Sequence, residues 1–299
     1  MLLIVRMALT ILGDVELEHR PAMPQPVFRF APSPNGELHL GHAYSALFTE
    51  RAARAAGGLF LLRIEDIDWT RSRPEFITRI FEDLAWLGLS WPEPVRFQSR
   101  HLDDYAAAQN RLRDEGLLYP CFCSRKEIAS TASAFDPDGN VLYAGTCRKL
   151  PPSLVEERAG WGAPFSLRLD MEKASRKVAR LSFVDEEQGE VEADPRRWGD
   201  VILARKDIRT TYHLSVVVDD AIQGVTHVTR GLDLYEATHI HRMLQALLGL
   251  PTPHYHHHKL ITTSAGRKLA KSLSDPSLRM LRNSGLAAAE VKTGLGFEP

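Results

Sequence analysis

No stretch of this 299-residue sequence supplies the roughly 18 consecutive apolar residues that a membrane-spanning helix requires, so no membrane partner is expected. Cysteine is scarce: three in the whole chain, clustered in one segment, do not make a disulfide framework and fit a cytoplasmic location. Charge of one sign is lacking too. With 37 Lys and Arg against 38 Asp and Glu the net charge is -1, so a nucleic-acid partner would have to meet a local basic surface. A composition 44% hydrophobic and 25% charged excludes a disordered or fibrous chain. At this length one large α/β domain with an insertion, or two domains, is expected. Met1 to Leu12 is apolar enough to resemble a signal-peptide core but has neither a basic leader nor a clear small-residue cleavage site. Residues 1–26 therefore read as an extension, with Met23 an alternative start.

What is present centres on Arg29 to His42, Arg-Phe-Ala-Pro-Ser-Pro-Asn-Gly-Glu-Leu-His-Leu-Gly-His. Val27 to Phe30 is a short strand, Pro32, Pro34 and Gly36 turn the chain, and Leu40, Ala43, Tyr44, Leu47 and Phe48 recur at helical spacing. His39 and His42 thus fall at a helix N-terminus, where unpaired N–H groups and the helix dipole favour a phosphate. Gly41 leaves room for a base or ribose against the backbone. The plainer alternative is a proline-rich loop leading into a core helix, with two surface histidines.

Leu59 to Asp68 is an apolar run ending in Glu65, Asp66 and Asp68, the pattern of a buried parallel strand with acids at its carboxyl end. Ligands of open α/β sheets bind at that end, which places Glu65 to meet a substrate ammonium. Alternatively the three acids pair with Arg63, Arg71 or Arg73. Helices are expected from Pro74 to Gly88 and from His101 to Glu115. The alternation predicts a Rossmann-like, doubly wound parallel sheet.

Cys121, Cys123 and Cys147 suggest tetrahedral zinc held by thiolates, against three reduced structural cysteines. There is no histidine between Cys123 and Cys147. Tyr143 is the best local oxygen donor, with Asp136 and Asp138 as alternatives. Phe165 to Leu169 and Arg180 to Val184, with a turn at Gly189, read as strands of an inserted subdomain. Val201 to Leu203 and Tyr212 to Val218 are β-rich, Val225 to Arg230 is a strand ending on a charge, and Tyr235 to Leu248 is a helix. The histidines at 254 and 256 to 258 do not read as a metal site, because neighbours on a strand point to opposite faces. Lys268 and Lys271, in a loop opened by Gly266, form a cationic clamp suited to a polyphosphate.

His39-Leu-Gly-His42 and Lys268-Leu-Ala-Lys-Ser272 together resemble the two signature motifs of class I aminoacyl-tRNA synthetases. Arg29 to Gly36, Leu62 to Asp68, and Tyr212 to Gly231 resemble the glutamyl- and glutaminyl-tRNA synthetase branch. The resemblance covers about residues 27–280. A full-length glutamyl-tRNA synthetase continues into an anticodon-binding domain after the lysine loop. This sequence stops soon after it, and so resembles the truncated glutamyl-Q tRNA(Asp) synthetase family.

That resemblance implies a class I synthetase ligase that activates L-glutamate with ATP and Mg²⁺ and esterifies it onto the queuosine base of tRNA(Asp). It implies that Arg29, Ala31, Ser33, Glu65, Tyr212 and Arg230 border the glutamate, that His39, Gly41 and His42 cradle ATP, and that Lys268 and Lys271 draw off pyrophosphate. It also makes Tyr143 the preferred fourth ligand of one structural zinc with Cys121, Cys123 and Cys147. Ala270 departs from the serine usual in the lysine loop and removes one hydroxyl while keeping both lysines. The expected layout is an extension (1–26), the first catalytic half (27–118), an inserted zinc-containing acceptor-binding-type subdomain (119–195), the second half (196–250), and a lysine-loop region with a short helical tail (251–299). A monomer is expected. The alternatives are the catalytic portion of an enzyme charging tRNA(Glu), a non-catalytic zinc-containing RNA-binding module, and, less favoured, a small-molecule nucleotidyltransferase.

Overall fold

The computed structural model describes residues 25–131, 133–262 and 276–299. The chain opens with β1 (Val27–Phe30), α1 (Leu40–Ala55), β2 (Leu59–Ile64), α2 (Pro74–Trp86), β3 (Arg96–Phe97) and α3 (Leu102–Asp114). It continues through β4 (Leu118–Cys121), α4 (Arg125–Ser130), α5 (Pro152–Gly160), β5 (Ser166–Leu169), α6 (Met171–Lys177), β6 (Ser182–Asp185), β7 (Gly189–Glu192) and β8 (Ile202–Ala204). It closes with α7 (Tyr212–Ile222), β9 (His227–Gly231), α8 (Ala237–Leu247), β10 (His254–His258), α9 (Leu278–Asn283) and α10 (Ala288–Gly294).

Seven strands form one sheet in the order β3-β2-β1-β9-β10-β6-β7. Every pairing in it is parallel except the β6–β7 hairpin. The chain winds outward from β1 through β2 and β3, and the strands on β1's other side come from far along the sequence. The β1–β9 seam is therefore the switch point, where loops after the strands diverge and leave a crevice. Helices cover both faces. One core joins Phe28, Phe30, Leu62 and Ile64 to Leu47, Ile80 and Leu84, and includes Leu278 and Val291 from the last two helices. The other joins Tyr105 and Leu112 to Leu214, Ile240 and Leu244. Ile80 and Leu84 are fully buried, so trimming either to Ala costs about 2–5 kcal/mol.

Two local expectations are corrected. Tyr212 to Val218 is helix, not strand. Leu214 to Asp220 are all buried, because α7 packs beside both α3 and α8. A segment buried on all sides shows no period that separates strand from helix, and its three valines then mislead by their β propensity. Within Arg180 to Val184 the strand starts only at Ser182, and β6 and β7 extend the large sheet, where Phe183 packs on Tyr255 with ring centres 5.6 Å apart. Val201 to Leu203 instead enters a small antiparallel sheet, β4-β5-β8. The two sheets interleave along the chain.

Candidate active site

The first turn of α1 is built by its own histidines. His39 is the N-cap: its Nδ1 accepts from the Gly41 N–H at 3.0 Å, and His42 Nδ1 accepts from the His39 N–H at 3.2 Å. The reciprocal bonds satisfy two helix-terminal donors with imidazole lone pairs. As neutral rings both histidines then carry their proton on Nε2, as donors suited to a phosphate oxygen. A Cβ on Gly41 would lie 2.9 Å from His39 Cε1, so glycine there makes room for the capping ring itself.

A cavity of about 520 Å³ opens at the carboxyl ends of β1 and β9, and its lining includes Arg29, Ala31, Ser33, His39, Gly41, His42, Glu65, Tyr212 and Arg230. These residues come from four separated parts of the chain. The folded sheet brings them to one place. Lys268 and Lys271, with Ala270, lie outside the described residues. The described chain on either side borders the same crevice: Lys259 to Ile261 line the cavity, while Ser277 bridges His39 and the Leu278 N–H donates to Leu38 O at 2.8 Å.

The two arginines are held differently. Arg29 is buried and donates to Asp220 Oδ1 at 3.0 Å and to the Thr229 carbonyl at 3.2 Å. Asp220 also accepts from Arg63 at 2.7 Å, and Arg63, fully buried, donates to Glu65 at 3.1 Å. Burial works against the Asp220 carboxylate, but Arg29 and Arg63 together hold its pKa below the usual range. For Glu65 burial wins over Arg63 and Arg29, and its pKa is raised. Arg230, by contrast, is gripped by neutral acceptors: His257 Nε2 at 3.1 Å, His241 Nδ1 at 3.1 Å, Thr238 Oγ1 at 2.6 Å and Tyr212 OH at 3.4 Å. Among the described residues no carboxylate pairs with it, so its full charge is directed at the cavity.

The three acids after β2 thus divide. Glu65 both pairs with Arg63 and lines the cavity. Asp66 accepts from the Ser99 hydroxyl at 2.6 Å, and Asp68 pairs with Arg71 at 2.9 Å and Arg205 at 3.6 Å. The sequence reading gave Arg63 only as one alternative partner of the acids, and passed over its place beneath the site, Asp220, and every acceptor around Arg230 but Tyr212. A signal existed for two of them, since an arginine inside an apolar strand and a carboxylate ending a run of valines each need a buried partner. Nothing local pointed to His241 or Thr238. The 254–258 histidines go separate ways, His256 toward Glu187, His257 toward Asp185 and His258 toward Ser45.

Away from this crevice, Cys121, Cys123 and Cys147 bring three sulfurs within 4.8 Å of one another, the one such group among the described residues. Cys123 and Cys147 sulfurs are 3.4 Å apart, close to the roughly 3.8 Å spacing of two thiolates at about 2.3 Å from a tetrahedral ion. Tyr143 OH stands 3.7 Å from Cys123 Sγ and accepts from the Cys147 N–H at 2.7 Å. Burial pushes the Cys123 thiol up to about 11, whereas bonds from Tyr143 and the Phe122 N–H bring Cys147 down despite burial. Asp136 and Asp138 are engaged elsewhere, by Asn140 and the Trp198 indole. The donor set fits a thiophilic divalent ion.

Residues 27–286 match the family described as tRNA synthetases class I (E and Q), catalytic domain. The chain is 47% identical to the glutamyl-Q tRNA(Asp) synthetase of Rhodobacter capsulatus over 91% of its own length and 100% of that protein's. It is 42% identical to the glutamyl-Q tRNA(Asp) synthetase of Nocardia farcinica, over 88% of this chain and 81% of the relative. Among solved structures it is similar to a glutamate-tRNA synthetase from Elizabethkingia anophelis, with a TM-score of 0.71 and 28% identity over 83% of this chain. It spans about half (53%) of the length of that structure.

Proposed function

The chain belongs to the family of class I tRNA synthetase catalytic domains of the E and Q type, and from that premise we propose that it activates L-glutamate with ATP and esterifies it onto the queuosine base of tRNA(Asp). The observation that carries the first half is the meeting, in one crevice, of a histidine-capped helix N-terminus with Arg230, held by neutral acceptors, and Glu65. The second half draws on the likeness to relatives bearing that name.

In this reading ATP lies with its phosphates over the first turn of α1, its oxygens taking hydrogen bonds from His39 and His42. The α-carboxylate of glutamate must reach the α-phosphorus there. The side-chain carboxylate is then the group that Arg230 holds, with the Tyr212 hydroxyl beside it, and Glu65 takes the ammonium. Arg29, tied to Asp220, and Ser33 border the amino acid. A carboxylate oxygen attacks the α-phosphorus in line, the bond to the β-phosphate oxygen breaks, and pyrophosphate leaves toward Lys268 and Lys271. Positioning and charge stabilisation suffice for this step, with no general base. Mg²⁺ would accompany the nucleotide. A hydroxyl of the queuosine base then attacks the acyl carbon and AMP leaves. Cys121, Cys123, Cys147 and Tyr143 would hold one zinc, as a clasp on the inserted segment rather than a participant.

The test is labelled glutamate offered to tRNA(Asp) with and without queuosine, and to tRNA(Glu), alongside glutamate-dependent pyrophosphate–ATP exchange without tRNA. Exchange without tRNA, and transfer to queuosine-containing tRNA(Asp) alone, are expected. Charging of tRNA(Glu) instead would overturn the acceptor assignment.

A further inference from the structure

We infer that Asp185 and His257 are positioning residues for glutamate recognition: they aim the Arg230 guanidinium while leaving its charge for the substrate carboxylate. The inference rests on the glutamate-activating reading above.

Asp185 ends β6, His257 lies in β10 and Arg230 in β9, three adjacent parallel strands. His257 and Arg230 are register partners, and Asp185 is in register with Tyr255, two positions from His257 and so on the same face. The side chains form a line: Asp185 Oδ2 lies 2.6 Å from His257 Nδ1, and Arg230 Nε donates to His257 Nε2 at 3.1 Å. Both Asp185 and His257 side chains are about 1% exposed. Solvent cannot substitute for either.

The order of the groups decides what the line does. A carboxylate accepts only, so Asp185 takes the Nδ1–H of His257 and fixes the tautomer whose Nε2 lone pair faces the guanidinium. Burial, with Arg230 adding to it, pushes His257 down to about 4, so the ring is a neutral acceptor at ordinary pH. Arg29 shows the alternative. There Asp220 meets the guanidinium directly and takes up its charge. An imidazole inserted between carboxylate and guanidinium supplies direction at the cost of little neutralisation. Thr238 and His241 finish the grip on the terminal nitrogens. A guanidinium fixed in plane by neutral groups presents its charge and its remaining Nη2–H to a carboxylate in one direction, and so discriminates it from a carboxamide.

The test is glutamate-dependent pyrophosphate–ATP exchange in the full chain with Asp185→Ala, Asp185→Asn and His257→Leu. For Asp185→Ala and His257→Leu the KM for glutamate rises about tenfold or more, while kcat and the KM for ATP move less than about threefold. Asp185→Asn, whose amide oxygen still accepts from Nδ1–H, recovers most of the loss. The margin by which glutamate is preferred to glutamine narrows in the same order. Should Asp185→Ala not fold, His257→Leu, beside the Tyr235 and Tyr255 rings, carries the same comparison. Unchanged glutamate KM in folded variants, equal loss for ATP and glutamate, or no recovery by Asp185→Asn would overturn the inference. A wild-type chain without glutamate-dependent exchange would overturn the glutamate reading first, and this inference with it.

Discussion

His39 caps α1 through Nδ1 and lines the crevice, two duties that one substitution can separate. Asparagine is a strong N-cap, so His39→Asn keeps the helix start, with a stability change under about 1 kcal/mol by thermal unfolding. It removes the Nε2–H donor. Exchange should then fall roughly 10²-fold, the usual loss when one preorganised donor to a developing charge is deleted. At this scale the sequence was legible wherever a charge ended a strand or a histidine began a helix, as with Arg230, Glu65 and His39, whereas Arg29, inside β1, entered only through the family resemblance. Asp185 and Thr238 stayed hidden because their importance is to a partner on another strand or helix, and Asp220, though marked by the valines before it, gave no sign of which arginine it meets. The Asp220–Arg29 pair spans 191 positions.

At the level of elements, the contact of α2 with α9 carries a titratable weak point. Asp83 of α2 is fully buried, without a hydrogen bond to either oxygen, and 3.6 Å from Arg282 of α9. Burial raises its carboxyl to about 6, only partly opposed by Arg282. The folded state therefore holds this proton to a higher pH than the unfolded chain does. Stability contributed by the protonated form is lost as pH rises from about 4 to about 6. Asp83→Asn should flatten that part of the pH profile and raise Tm near neutrality, by an amount worth on the order of 1–3 kcal/mol. A denaturation series from pH 4 to pH 8 checks both.

The cysteine segment gives a second prediction at the same scale. Elemental analysis should find one zinc per chain, lost in Cys147→Ser, and chelation should make residues 122–147 a preferred site of proteolysis. The helices α1, α2, α3 and α8 were legible in their spacing: Pro74 opens α2 and Gly88, at φ +76°, follows its end. α7 was not, because burial on every side erases the period that would have identified it.

For the molecule as a whole, the alternation of strand and helix was enough to anticipate a doubly wound sheet. Which strands belong together was not legible. β6 and β7, read as part of an insertion, lengthen the main sheet, while β8 crosses to the small one. Pairing between strands depends on the packing of rings such as Phe183 and Tyr255, and neither hydrophobic period nor turn residues encode that choice.

The β1–β9 seam also bears on how the site comes into being. The Val27 N–H donates to Thr226 Oγ1 across 199 positions, and Arg29 reaches the Thr229 carbonyl across 200. Contacts so distant in sequence close late, after helices have formed locally. Activity is thus a reporter of completed topology: on dilution from denaturant, helical circular dichroism should return before glutamate-dependent exchange. A lesion weakening the seam would leave a chain rich in helix but with its two arginines on separate, uncommunicating halves.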